Sequence, residues 1–392
     1  MHTIRVVLKP DKDKPIRGFH PWIFSGAIDL LDDNFKTGDL AKVYSNREEF
    51  LGIGYLNPRS QIAVRMLTFK DEEIDTQFFI RRMEQAKRLR GDFFPPQTNA
   101  IRLVHSEGDF LPGLIVDRYG DYLVAQFLTA GMDALKTTVV DALTYVFPSK
   151  GIYERDDSEA RKQEGLGEGL ATLKGEGPPD YVEIEEYGNR FVVDIKHGQT
   201  TGFFLDQREN RKKVANLTKG KKVLNCFAYS GGFSIYAARA GAASVTSVEV
   251  QERAVNNMKT NFELNDLKGE QYRFIREDVF DFLRKDPETY DLIVLDPPAF
   301  CKHKNQVMQA SRGYKDINLF AMKRLNPDGI LFTSSCSSFV DPDLFQKIIF
   351  AAAKDAHRNV QIIEKTSHAF DHPINIYHPE GEYLKGLFLR VQ

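Results

Sequence analysis

The stretch KKVLNCFAYSGGFSIYAARAGAASVTSVEV, residues 221–250, decides the fold of this chain. Val223 to Phe227 have the apolar, β-rich character of a buried parallel strand, and Tyr229-Ser230-Gly231-Gly232 break it. A helix from Phe233 to about Ala240 leads to a second apolar run through Val245, Val248 and Val250, with Glu249 at its end. This is a βαβ unit with the marks of a nucleotide site. The glycines allow a backbone to approach a ligand closely, and a carboxylate roughly 20 residues further on can accept hydrogen bonds from a ribose diol. G-x-G-x-x-G is missing, so the turn is not the usual cradle for a pyrophosphate. A nucleoside without a pyrophosphate fits better, and S-adenosylmethionine is such a molecule.

The rest of the chain supplies the setting. At 392 residues it exceeds the size of one ordinary core, and two or three domains are expected. A net charge of -2 excludes a generally basic coat for nucleic acid, so any RNA binding must come from local patches. The first twenty residues contain no signal-peptide core and no apolar run reaches membrane-spanning length, which predicts a cytoplasmic protein with no membrane partner. Cys226, Cys301 and Cys336 are an odd number without paired metal-ligand spacing, so neither a disulfide framework nor a metal site is expected.

Residues 1–70 read as a small all-β module of short apolar alternations separated by Gly, Pro and Asn turns. Arg17-Gly18 with His20 to Phe24, and Gly52 to Pro58, resemble the PUA domain, a small RNA-binding barrel; Trp22 is expected in its core. Residues 71–178 read as a mixed α/β middle domain that also binds RNA. It begins with a helix on which Phe79, Met83, Ala86 and Leu89 share a face, while Arg81, Arg82, Lys87, Arg88 and Arg90 take the others, as a solvated surface or as part of an RNA track. Arg161 to Asp180 is polar and glycine-rich, and reads as a mobile loop near a boundary. Tyr181 to His197 alternate as a hairpin about Gly188-Asn189. From 179 to 392 strands and helices alternate, which predicts a doubly wound, Rossmann-like sheet with its ligands beyond the carboxyl ends of the strands.

Four segments fall at those predicted ends: Tyr229 to Gly232, Glu249, Asp278 and Asp296-Pro297-Pro298. Asp278 reads either as a helix N-cap or as a partner for an adenine amino group. Two consecutive prolines make Asp296-Pro297-Pro298 a rigid turn that can hold the edge of a planar base, with Phe300 to stack on its face. Cys336 ends the last predicted parallel strand among serines. A buried, inert thiol is the plainer reading. The chemical reading is a nucleophile: carbon 5 of a pyrimidine is a poor one itself, and thiolate addition at carbon 6 makes an enolate-like ring that can take a methyl group. Asp296 would then steady the ring at N3. Cys226 reads as core and Cys301 as a lesser rival to Cys336.

Gly202 to Arg208, Asn225 to Ser234, Asp296 to Phe300, Arg312 to Asn318, Ser335-Cys336-Ser337 and Pro379 to Gly386, in this order after a PUA-like start, resemble the large-subunit ribosomal RNA methyltransferases, and within them the 5-methylcytosine branch. The resemblance implies S-adenosylmethionine as cofactor, held by Tyr229, Ser230, Gly231, Gly232, Glu249, Asp278 and Asp296, with the loop of Phe204, Asp206, Gln207 and Arg208 closing over its methionine end. It implies Cys336 and Asp296 as catalytic residues, Pro297, Pro298 and Phe300 against the substrate base, ribosomal RNA as partner and a homodimer. Many RNA 5-methylcytosine enzymes carry a second cysteine just after the proline of the Asp-Pro motif. Here Pro298 and Ala299 stand there instead. Two other readings remain open, N-methylation of a guanine and an RNA-binding assembly factor without catalysis.

Overall fold

Residues 3–95 and 97–392 are described by a computed structural model, which divides into two units. Met1–Glu185, Val193–Leu205 and Phe370–Gly381 form the first. Glu186–Val192, Asp206–Ala369 and Glu382–Gln392 form the second.

In the first unit the short apolar alternations become a six-stranded mixed sheet from strands between Thr3–Leu8 and Ile62–Thr68. Its inward positions, among them Ile4, Val6, Val43, Leu56 and Val64, make one apolar core. A second sheet of five strands runs from Ala100–His105 to Gly169–Gly175. Against it packs the helix Thr76–Gly91, begun by the Asp75 carboxylate accepting from the Phe78 amide at 2.8 Å.

Three sequence expectations change here. Trp22 is only half-buried, because its indole N–H reaches the Glu107 carboxylate at 2.8 Å and its ring meets His378 edge-on. Arg90 is not on a solvated face: it is buried, and its planar fork binds both oxygens of Asp109 at 2.7 and 2.6 Å. The polar segment from Arg161 is ordered. Gly169–Gly175 is an edge strand antiparallel to Gly151–Asp156, a place where polar residues are favoured, and Arg161 is buried against Asp156. Asp133, Glu154 and Asp156 cluster nearby and are paired with Lys136 and Arg161. No helix among the described residues is long and apolar enough to cross a membrane.

The second unit is built on seven strands: β1 (Lys222–Cys226), β2 (Ser244–Val248), β3 (Tyr272–Ile275), β4 (Tyr290–Leu295), β5 (Leu325–Ser335), β6 (Val360–Thr366) and β7 (Lys385–Val391). Their helices are α1 (Arg208–Ala215), α2 (Gly232–Arg239), α3 (Glu252–Leu264), α4 (Val279–Lys285), α5 (Val307–Arg324) and α6 (Pro342–Ala356). The spatial order is β3-β2-β1-β4-β5-β7-β6, with β1 to β5 parallel and β7 antiparallel to both its neighbours. The order reverses between β1 and β4, which is where an open sheet leaves a crevice for ligands. Leu224, Ile293, Leu331 and Leu389 pair in one continuous row across the sheet and are fully buried. Burial on both faces explains the uninterrupted apolar runs of the sequence.

Candidate active site

Register sets the site. Val248, Cys226, Leu295 and Thr333 are cross-strand partners in turn, so β2, β1, β4 and β5 reach one line together. The residues just past that line are Glu249, Phe227 to Gly232, Asp296 and Ser334 to Cys336. Chain order separates them by more than 100 residues, and the sheet makes them neighbours.

The turn after β1 is unusual backbone. Phe227 and Tyr229 have φ of 59° and 47°, and Gly231 has 85°. The turn aims the Tyr229 amide at Glu249, whose Oε2 accepts at 2.8 Å, while Oε1 accepts from the Gln251 amide at 2.9 Å. The glycines act differently from the simple expectation of ligand approach. A side chain at Gly231 would meet Met258 Cγ at 2.6 Å, and one at Gly232 would meet Arg211 Cδ at 3.0 Å. They are small so that α3 and α1 can press on the turn. Asp278 is the N-cap of α4, accepting from the amides of Phe280 and Asp281 at 2.9 and 3.2 Å.

Asp296 is held from two sides. Its Oδ1 accepts from Gln207 Nε2 and from the Ser334 hydroxyl, each at 2.6 Å. Burial, reinforced by the charge of Asp206, outweighs these bonds and pushes its carboxyl up to about 6. Asp206 in turn accepts from the Tyr383 hydroxyl at 2.9 Å. Gln207 is fixed by Asn210, which donates to its Oε1 at 2.6 Å. Arg208, expected at the cofactor, is directed into the interior instead: its Nε meets Glu186 at 3.0 Å, and both groups are fully buried. Glu186 also receives Arg211 and the Tyr236 hydroxyl. Phe204 lies in the first unit, half-buried.

Cys336 follows β5, with its Sγ 4.0 Å from the Pro297 carbonyl, so the thiol and the Asp-Pro-Pro turn do share one place. The flanking serines are locked by the buried Tyr314 of α5: its hydroxyl pairs with Ser335 Oγ at 3.0 Å and Ser337 Oγ at 2.9 Å. Burial, then the charges of Asp296 and Asp206, push the Cys336 thiol up to about 12, and Lys385 opposes them. Phe300 leans on Tyr314, Phe280 and Phe227, with centroids 4.7, 5.8 and 6.3 Å away, leaving it half-exposed beside Pro298, which is exposed. Pro297 is buried. The other thiols are occupied or sealed. Cys226 is fully buried, and Cys301 is buried with its Sγ on the His303 carbonyl at 3.3 Å.

Sequence reasoning gave no role to Ser334, Glu186, Tyr383 or Lys385. The last two stand in the Pro379 to Gly386 motif, and only the pairing of β7 with β5 brings that motif to the cleft.

The polar groups at the site fit S-adenosylmethionine. Glu249 presents a carboxylate at the end of β2, and Ser230 Oγ and Asn225 Oδ1, at and beside the turn, are buried without a hydrogen-bond partner. A ligand hydroxyl or amine would satisfy such atoms.

Comparison with known proteins bears on the same residues. Residues 6–69 match the model of a PUA-like domain, and residues 168–374, more than half the chain, match that of an S-adenosylmethionine-dependent methyltransferase. The chain is 47% identical over 392 residues to ribosomal RNA large subunit methyltransferase I of Tolumonas auensis, covering 98% of this chain and 99% of that one. With the same-named protein of Aliivibrio fischeri it shares 45% over 394 residues, covering 99% and 100%. A solved structure, SMU.776 in complex with SAH, superposes with a TM-score of 0.85 at 26% identity over all of both chains.

Proposed function

The chain belongs to the ribosomal RNA large subunit methyltransferase I family, and from that premise we propose that it methylates carbon 5 of a cytosine through a Cys336 adduct. It is an S-adenosylmethionine-dependent methyltransferase of large-subunit ribosomal RNA. One observation carries the finer reading: Cys336 Sγ sits against the Pro297 carbonyl, beside Asp296 and between two serines that Tyr314 fixes. No such arrangement is needed to methylate a nitrogen.

When bound, the cofactor supplies an electrophilic methyl group. Glu249, Ser230 and Asp278 would hold it, with Gln207 and Asp206 at its far end. Asp296 orients the base. Its Oδ1 is engaged by Gln207 and Ser334, which leaves Oδ2 for the cytosine edge at N3. A carboxyl near 6 can hold or release a proton there as charge develops on the ring. Pro297 and Pro298 keep the turn rigid and Phe300 stacks on the base. Sulfur of Cys336 adds at carbon 6, and carbon 5 becomes nucleophilic.

The domain division 1–70, 71–178 and 179–392 is part of this proposal, with the first two holding RNA, and so are a homodimer and a cytoplasmic site of action. A rival within the family's chemistry is N-methylation of guanine, which the half-exposed Phe300 beside Asp296-Pro297-Pro298 also suits. Cys336→Ala separates the two. The carbon-5 reading expects ribosomal RNA from a deletion strain carrying that variant to lack one 5-methylcytosine by nucleoside mass spectrometry. Full methylation by the variant would overturn it.

A further inference from the structure

The reaction needs a proton acceptor for a thiol that its surroundings keep protonated, and a buried amine is bonded to the carbonyl of the very next residue. Lys385 opens β7, and its cross-strand partner in β5 is Ser335, the residue before Cys336. Its side chain is buried, and Nζ donates to the carbonyls of Ser337 and Tyr383, both at 2.7 Å. Ser337 is the residue after Cys336, so the amine is bonded to one chain neighbour of the thiol while the backbone of Lys385 pairs with the other. Among the described residues no carboxylate lies within ion-pair distance of Nζ. A buried lysine that served only the fold would be expected to have one.

Two carbonyls are the number that suits a proton exchanger. A neutral amine has two N–H donors and a lone pair, while an ammonium has a third N–H in place of that pair. Ser337 and Tyr383 satisfy the two donors common to both states, and the third position is free to gain or lose a proton. We propose that Lys385 takes the thiol proton of Cys336 as sulfur adds to the base, and returns it when sulfur leaves. This rests on the carbon-5 reading above.

The surrounding charges agree. Burial draws the Lys385 ammonium down to about 8, against the pull of Cys336, Glu382 and Asp341, which favour its charge. On the thiol, Asp296 and Asp206 oppose ionisation and Lys385 favours it. Tyr314, whose hydroxyl joins the two flanking serines, is raised by burial and stays neutral. In the addition, the S–H proton moves to Nζ, the sulfur pair forms the bond to carbon 6, and the displaced ring electrons at carbon 5 would take the methyl group, whose bond to the cofactor's sulfonium would break with its pair left on that sulfur. In the elimination, the carbon-5 proton passes to water and its bonding pair re-forms the double bond from carbon 5 to carbon 6, the bond from carbon 6 to sulfur breaks with its pair on sulfur, and Nζ returns its proton. Cys336 and Lys385 end as they began, with one proton released to solvent.

Two measurements test this. Alkylation of Cys336 by iodoacetamide, followed by peptide mass spectrometry over neutral to alkaline pH, reads the thiol without RNA or cofactor. Lys385→Met, which removes the cation, is expected to slow it at neutral pH by about tenfold or more, since each pKa unit changes the thiolate fraction tenfold. Lys385→Arg keeps the charge but cannot accept a proton, and its kcat is expected to fall by about a hundredfold or more with KM held and the inflection near 8 lost. Circular dichroism checks that both variants fold. Wild-type kcat and pH profile in Lys385→Arg, or unchanged alkylation in Lys385→Met, would overturn the inference while Cys336→Ala remains inactive. An active Cys336→Ala instead overturns the carbon-5 reading itself, and this role with it.

Discussion

Glu186→Gln is the perturbation with the largest consequence that the structure lets one work out. The carboxylate is fully buried and receives hydrogen bonds from Arg208 Nε at 3.0 Å, from Arg211 Nε and Nη2 at 2.9 and 2.8 Å, and from the Tyr236 hydroxyl at 3.0 Å. The glutamine keeps the volume and removes the charge. Two guanidiniums that cannot lose their protons are then stripped of the carboxylate they share. Removing one partner of a buried ion pair costs about 3 to 5 kcal/mol, because the other charge stays behind in low dielectric. For a unit of this size each kcal/mol lowers Tm by about 2 to 4 °C, so a fall of about 6 to 20 °C is expected by calorimetry. The loss should also reach the site, since Arg208 begins α1 directly after Gln207, which holds Asp296. S-adenosylmethionine affinity by titration calorimetry is therefore expected to weaken as well. Adding Arg211→Met should restore part of the stability, because an apolar replacement of a buried charge is often tolerated. A Tm within about 2 °C of wild type, or a double variant no better than the single one, would refute the reasoning.

Gly231→Ala combines a left-handed backbone, φ 85°, with a Cβ only 2.6 Å from Met258 Cγ, whereas Gly241→Ala at φ 88° meets nothing nearer than Lys219 Cγ at 3.8 Å. Both should lose stability by about 1 to 3 kcal/mol from strain, and only Gly231→Ala is expected to weaken S-adenosylmethionine binding in the same titration. Ser334→Ala removes a hydrogen bond that favours the Asp296 carboxylate, so the inflection that Asp296 is expected to give the pH profile of kcat should move upward. An unmoved inflection would assign it to another group.

The site was partly legible because close chemistry leaves marks in short range. The small-residue turn, the two prolines and the serine-flanked cysteine each constrain the backbone or the chemistry at their own positions, and the structure gathers all three at the ends of β1, β4 and β5. Long-range partners left no such marks. Arg90 and Arg208 read as surface or ligand-facing cations because charge is normally solvated, yet each meets a buried carboxylate that only the fold supplies. The polar run from Arg161 read as mobile because composition does not reveal that a neighbouring strand can complete its backbone hydrogen bonds.

By itself the sequence determined that this chain alternates strands and helices over its second half, binds a nucleoside rather than a dinucleotide, and carries a thiol among serines. Periodicity and turn chemistry are local, and they need no partner to be read. Only the tertiary structure decided that Gly231 and Gly232 are small to admit Met258 and Arg211, and that a buried amine is bonded to the residue after the thiol. Lys385 lies 49 positions after Cys336. An antiparallel strand inserted next to β5 removes that distance, and nothing along the chain between the two residues announces it.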